Sequence, residues 1–390
     1  MHYLDANATQ PLRPVAAEAV LNAFAVVGNP SSVHAAGRAA RRIMEDAREA
    51  VAARFGGLAQ DLVFTSGGTE ADALAVRALS SGRRILISVI EHDAVRSAAA
   101  GAEGIPVGRD GVVDLAALEA LLRERMPALV CLMLSNNETG IIQPVEQAAV
   151  ICRRFGALLH VDAVQAAGRM EVRLDRLGAH SLAVSSHKLG GPAGVGALLL
   201  APDAPFAEPL IGGGGQERGR RGGTPAVALT AGFAAAAQAS AGDDTAALGA
   251  LRDVAEQAAI ACGAVVCGDP ARRLANTTCL ALPGAAAGVQ VIALDLEGIA
   301  VSAGAACSSG KVTASHVLQA MGLGPLAEQA IRVSLPWNAT RADVDAFASA
   351  YQRVAARLSP PQLTHGPNIT YGLKIADGLK MADGLATQSG

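Results

Sequence analysis

The chain has 390 residues, 51% hydrophobic and 17% charged, with a formal net charge of −3 at pH 7. That composition fills a large core across two or three domains and excludes disorder for most of the chain. The near-neutral balance leaves no basic footprint for nucleic acid, and no apolar run approaches the roughly 18 residues that cross a bilayer.

The N-terminus, MHYLDANATQP, carries neither a basic-then-apolar leader nor an Arg/Ser-rich one, so the cytoplasm is the expected compartment. The next segment reads as a helix capped by Ser31 or Ser32. Its apolar face is Ile43, Ala47, Val51 and Phe55, and Gly56-Gly57 stops it. A short strand over Leu62–Thr65 then meets Ser66-Gly67-Gly68-Thr69 and a new helix. Backbone N–H groups at such a helix start make a phosphate cradle, to which Thr69 adds a hydroxyl. An ordinary N-cap is the plainer alternative. The turn is neither a Walker loop nor GxGxxG, so a phosphate is expected and a nucleotide is not.

Further apolar strands are expected at 85–90, 128–135, 157–161, 182–185 and Gly196–Leu200, with helices at 114–125 and 144–155 between some of them. Alternation of this kind implies crossover connections and a mainly parallel sheet covered on both faces. Ligands bind such sheets at the carboxyl ends of the strands, so the residues just after each strand matter most. Residues 212–223 form a loop expected to be flexible and cationic, with Arg218, Arg220 and Arg221. These three arginines fit either an acidic partner or a dimer interface. Residues 258–358 read as a second, smaller α/β unit. From Ser359 the texture changes to Pro-Pro and a two-copy GLKIAD/GLKMAD repeat, too short for a repeat fold and read as a disordered tail.

Two scarce residue types narrow the chemistry. Lysine occurs only at 188, 311, 374 and 380. Lys188 follows a strand in Ser185-Ser186-His187-Lys188, and Asp162 ends another in His160-Val161-Asp162. An amine that forms a Schiff base must be buried enough to lose its proton, and a carboxylate opposite it suits a pyridinium nitrogen. Taken singly, Asp162 is as well read as a helix cap and Lys188 as a surface lysine; their joint placement at strand ends favours chemistry. Six cysteines lie at 131, 152, 262, 267, 279 and 307, with no CxxC pair and no histidine at metal-ligand spacing. That is the usage of a reducing cytosol, with no resident metal expected. Cys131 and Cys267 sit in apolar contexts and read as packed thiols, whereas Cys307 lies in a segment of small residues, Gly304-Ala305-Ala306-Cys307-Ser308-Ser309-Gly310.

Several motifs together carry a resemblance: Asn29-Pro30-Ser31-Ser32-x-His34, Gly68-Thr69-Glu70, Glu91-His92, Asn136-Asn137-Glu138-Thr139-Gly140, Asp162-Ala163-Val164-Gln165, Ser185-x-His187-Lys188, the Gly/Arg loop ending at Thr224, and the Cys307 segment. In order and spacing, over about residues 2–358, they resemble the cysteine desulfurases of the NifS/IscS kind, relatives of the class-V aminotransferases on the pyridoxal-phosphate fold type I. The resemblance implies a large cofactor-binding domain over 1–257, whose first 14 residues pack on the small domain, and a small domain over 258–358 carrying Cys307. It implies a homodimer that takes sulfur from L-cysteine, releases L-alanine and passes the sulfur to iron–sulfur scaffold proteins or other acceptors, with nitrogenase as one destination.

By the same resemblance Lys188 would hold the cofactor and move the substrate's Cα proton, Asp162 would pair with the ring nitrogen, and Gln165 with the phenolic oxygen. His92 would stack on the ring and act as acid/base. Gly68, Thr69, Ser185 and His187 would hold the phosphate, and Thr224 would reach the phosphate of the neighbouring subunit. Asn137 and Arg332 would fix the substrate carboxylate, Asn137 also lying against the cofactor. Cys307 would accept the sulfur and could serve as a transient iron–sulfur ligand. Two positions depart from the family pattern: Gln10 follows Asp5-Ala6-Asn7-Ala8-Thr9 where a second threonine is usual, and Gln216 stands where some members have histidine. Another fold type I enzyme, a class-V aminotransferase or a selenocysteine lyase, is the alternative; it needs Lys188 and Asp162 but no sulfur-accepting thiol.

Overall fold

The computed structural model describes residues 1–304 and 314–358. Cys307 and the tail from Ser359 therefore lie outside the described residues. In chain order the elements are β1 (His2–Tyr3), α1 (Pro14–Phe24), α2 (Ala35–Arg54), β2 (Leu62–Thr65), α3 (Gly68–Leu79), β3 (Arg84–Ser88), α4 (Asp93–Ala98), β4 (Glu103–Ile105), α5 (Leu115–Glu124) and β5 (Ala128–Cys131). They continue with α6 (Val145–Phe155), β6 (Leu158–Asp162), α7 (Leu174–Leu177), β7 (Ser181–Ser185), β8 (Gly196–Leu200), α8 (Val227–Ala239) and α9 (Thr245–Ala261). The last are β9 (Val265–Val266), β10 (Thr277–Ala281), α10 (Ala287–Leu296), β11 (Ile299–Ala300), α11 (His316–Ala320), β12 (Ala330–Ser334) and α12 (Arg341–Leu358).

Seven strands form one sheet in the order β2-β8-β7-β6-β5-β3-β4. The pairs among β7, β6, β5, β3 and β4 are parallel, and only β8 runs against them. The central strands β5, β6 and β7 are buried along their whole length, as strands covered on both faces must be. The carboxyl ends of β2, β3, β5, β6 and β7 consequently share one edge of the sheet. The expected α/β fold with a mainly parallel sheet is what the chain adopts.

Helix boundaries follow local chemistry. Asp114 caps α5, its carboxylate accepting from the N–H groups of Ala116 (2.9 Å) and Ala117 (3.0 Å). The cap of α2 differs from expectation: His34 Nδ1, not Ser31 or Ser32, accepts from Gly37 N at 3.2 Å. The helix starts at Ala35, so both serines lie upstream of the capping position.

A second sheet, β12-β10-β9, is antiparallel, and β1 pairs in parallel with β11. The N-terminal segment is stitched further by a bridge from Asp5 to Ser334. Leu4 belongs to the apolar cluster of Leu280, Leu294, Ile299, Ile331, Val333, Phe347 and Tyr351. Among the described residues no helix is long and apolar enough to cross a membrane, and no group of three or more His, Cys, Asp or Glu is placed to hold a metal ion.

Candidate active site

The shared strand edge holds a cavity of about 160 Å³ lined by Gly68, Thr69, His92, Asn137, Asp162, Gln165, Ser185, His187 and Lys188, with Asp72, Met133, Ser135 and Val164. Five strand ends supply them: Thr69 after β2, His92 after β3, Asn137 after β5, Asp162 at the end of β6, Lys188 after β7. A second chamber of about 390 Å³ shares His92, Asn137, Gln165 and Lys188 and adds Asp5, Asn7, Glu138, His316 and Arg332. Gly304 and Ala314, the described residues on either side of the Cys307 segment, line this outer chamber too. A larger cavity of about 760 Å³ lies at the opposite ends of the strands, beside Ala157, Ala179 and Leu200, and gathers none of these residues.

Lys188 is the only lysine among the described residues. Its Nζ donates to the carbonyls of Asn7 (2.5 Å) and Ala8 (2.9 Å). Burial and the guanidinium groups of Arg169 and Arg332 outweigh the opposing carboxylates of Asp5 and Asp162, and push the amine down to about 7. A large fraction is therefore neutral, and nucleophilic, at neutral pH. Asp162 is 7% exposed. One of its oxygens accepts from Val164 N at 2.8 Å. Burial and the nearby Asp72 push its carboxyl up to about 7, against the pull of His92. A cationic N–H set against it would restore its ionisation.

His92 occupies the N-cap of α4, Nδ1 accepting from Ala94 N at 3.1 Å. In the neutral ring Nε2 then carries the proton. Ser185 Oγ is buried with no partner, as are Asn137 Oδ1 and Arg332 Nε. Such orphans mark places where a ligand completes the bonding. Gly68 is the first residue of α3, and a Cβ there would come within 2.7 Å of Val164 Cγ2. Gly68, Val164 and Ser185 thus form a close-walled hollow at a helix N-terminus. The orphaned hydroxyl of Ser185, the helix start at Gly68-Thr69, the depressed amine of Lys188 and the protonatable Asp162 fit a phosphorylated pyridine aldehyde, group by group.

Three expected site residues have partners within the chain or lie in a neighbouring cavity. Gln165 donates through Nε2 to Asn7 O at 3.0 Å, while its Oε1 accepts from Arg169. Arg332 donates to Asp5 Oδ1 (2.6 Å) and to Asn137 O (3.0 Å). Thr224 is absent from this chain's Lys188 cavity and lines a smaller one of about 120 Å³ with Thr65, Ser66 and Arg221. The loop expected to be cationic is neutralised: Arg218 lies 3.6 Å from Glu45, Arg220 3.3 Å from Asp61 and Arg221 2.8 Å from Glu70. Cys131, Cys152, Cys267 and Cys279 are buried, with burial pushing the thiols of Cys131 and Cys152 up.

The structure also brings in residues that sequence reasoning left without a role. Behind Asp162, His160 Nε2 meets Asp72 Oδ1 at 3.1 Å and Nδ1 meets Ser181 Oγ at 2.8 Å. Burial lowers His160 to about 4, so the ring stays neutral. Glu138 accepts from Ser315 Oγ at 2.6 Å, and His316 Nε2 donates to Glu91 O at 3.2 Å. Asp5, Glu138 and His160 stood inside quoted motifs, which was the available signal; Asp72 stood in none.

Comparison with known proteins agrees with this geometry. The class-V aminotransferase family pattern matches residues 2–347. A cysteine desulfurase of Cereibacter sphaeroides is 44% identical over 360 residues, covering 88% of this chain and 92% of that one. An IscS-like cysteine desulfurase of Mycobacterium tuberculosis is 39% identical over 381 residues, covering 92% and 97%. Among solved structures, a NifS-like protein from Rickettsia africae superposes with a TM-score of 0.84 at 32% identity, covering 91% of this chain and 99% of that one.

Proposed function

The chain belongs to the class-V aminotransferase family, and from that premise we infer that it is a pyridoxal-phosphate-dependent cysteine desulfurase. One observation carries the reading: Lys188, with its amine lowered to about 7, shares a cavity with Asp162, His92 and the orphaned hydroxyl of Ser185. In this reading Lys188 holds the cofactor covalently, Asp162 faces the ring nitrogen, Gln165 the phenolic oxygen, and His92 the ring. Gly68, Thr69, Ser185 and His187 hold the phosphate. When bound, the cofactor supplies an electron sink for the carbanion left when the substrate loses its Cα proton.

Lys188 Nζ takes that proton, its neutral form being accessible near pH 7. Arg332, with Asn137, orients the substrate carboxylate. The thiolate of Cys307 attacks the sulfur of L-cysteine; the S–S bond forms as the C–S bond breaks, whose electron pair stays on Cβ and takes up the proton the thiol gave up, leaving a persulfide on Cys307 and releasing L-alanine. His92 Nε2 holds and returns the proton that the thiol exchanges. The persulfide sulfur then passes to an acceptor, in our reading an iron–sulfur scaffold protein, with nitrogenase among the destinations, and Cys307 serves there as a transient ligand. The chain acts as a cytoplasmic homodimer in which Thr224 reaches the neighbouring subunit's phosphate. The exposed Leu21, Phe24, Val27 and Val33, between 67% and 86% accessible, support an interface on that face.

Protein loaded with pyridoxal phosphate is expected to convert L-cysteine to L-alanine and, with a thiol reductant, sulfide in equal amounts; pyruvate in place of alanine overturns the reading. Arg332→Ala should raise KM for L-cysteine by about ten- to a hundredfold, a charge-assisted pair being worth about 1.5–3 kcal/mol. Capture of pyridoxal phosphate by stripped protein should accelerate from pH 6 to pH 8. The reactive amine is the deprotonated form, which rises through the Lys188 value of about 7; stopped-flow absorbance at several pH values checks the sign.

A further inference from the structure

Two ion pairs outside the chemistry fasten the 212–224 loop, one to α2 and β2 and the other to the turn at the start of α3. Glu217 is buried although its φ is 47°, and Arg218 beside it has φ 57°. Non-glycine residues in this left-handed region are costly, and persist where the surroundings hold them. The hold is visible. Glu217 accepts from both terminal nitrogens of Arg48 at 2.7 Å, each side chain only 2% exposed. Its Oε2 also accepts from Phe64 N at 2.9 Å, while Arg48 donates to Leu62 O at 2.9 Å. β2 is an edge strand, paired on one side only with β8. The Arg48–Glu217 pair therefore satisfies the free edge of β2.

The second pair repeats the device two residues further on. Glu70, at 9% side-chain exposure, accepts from Arg221 at 2.8 and 3.2 Å, and its Oε2 also accepts from Ser66 N at 2.7 Å. Between turn and loop lies the small cavity that Thr65, Ser66, Arg221 and Thr224 line. Two carboxylates thus bond to backbone N–H groups on the approach to Gly67-Gly68-Thr69, and each is locked by an arginine.

We propose that Glu70–Arg221 and Arg48–Glu217 are positioning pairs for the phosphate cradle: they set the turn that aims Gly68 and Thr69 at the cofactor's phosphate and tie it to the loop bearing Thr224. The inference rests on the reading of Gly68-Thr69 as that cradle. Removing Glu217 strands a buried guanidinium and destabilises the fold as well. The test therefore uses Arg221→Ala, whose side chain is 21% exposed, with Arg221→Lys as the conservative partner.

Full-length holoenzyme is stripped, then titrated with pyridoxal phosphate and, in parallel, with pyridoxal, which lacks the phosphate; the melting temperature of each stripped protein is recorded. Arg221→Ala is expected to weaken pyridoxal phosphate binding about tenfold while leaving pyridoxal binding within twofold of wild type, and Arg221→Lys to recover most of the loss. Equal weakening of both ligands, or no change in either, overturns the proposal while leaving the desulfurase reading intact. Wild type that binds pyridoxal phosphate no better than pyridoxal overturns the cradle reading itself, and the proposal with it.

Discussion

Replacing Lys188 by alanine is expected to lower turnover of L-cysteine by about 10⁴-fold, the upper range for losing a positioned proton-transfer group. The protein should stay folded. The amine bonds only to the carbonyls of Asn7 and Ala8, which water reaches once the side chain is gone, while the sheet beneath keeps its core. Dialysed Lys188→Ala protein should also be colourless, Lys188 being the amine that lines the cavity with Asp162 and Ser185. Far-UV circular dichroism, cofactor absorbance and alanine release together check this. Unaltered absorbance and turnover would remove Lys188 from the chemistry.

Cys307→Ser is expected to lose a different half of the reaction. Alanine release and sulfide production should fall to background, while cofactor absorbance, and its change on adding L-cysteine, persist. The reason is positional. Gly304 and Ala314 both line the chamber that holds Lys188 and Arg332, and three residues of chain from Gly304 span at most about 10 Å. The other cysteines offer no substitute: Cys131, Cys152, Cys267 and Cys279 are buried, and Cys262, half-buried against the smaller core, lines neither chamber. Peptide mass spectrometry after incubation with L-cysteine should find one added sulfur on the Cys307 peptide of wild type and none in the variant. An aminotransferase or selenocysteine lyase of the same family would show no such dependence on Cys307.

The strands were legible where turn residues bound them. Leu62–Thr65 and Gly196–Leu200 stand as expected, framed by Ser66-Gly67 and Ala193-Gly194. The strand expected over 128–135 stops at Cys131, because Leu132, Met133 and Leu134 are buried as a connection rather than a strand. Apolar periodicity alone does not separate these two states. The three-residue β4 was missed, its middle glycine interrupting the pattern.

Of the site, the strand-end residues Lys188, Asp162 and His92 could be found because topology dictates where a parallel sheet binds. The residues behind them could not. Asp72 meets His160 across 88 positions of sequence, and Arg48 meets Glu217 across 169; neither pairing leaves a local trace. The arginine loop shows the converse error. Its charge was obvious in sequence, but each arginine is answered by an acid from α2, from α3 or from the segment before β2.

Sodium borohydride reduction of the cofactor-loaded protein, followed by peptide mapping, tests the central claim most directly. The account predicts one phosphopyridoxyl group per chain, on the peptide containing Lys188. A reduced protein with no adduct, or with the adduct on Lys311, Lys374 or Lys380, would contradict it.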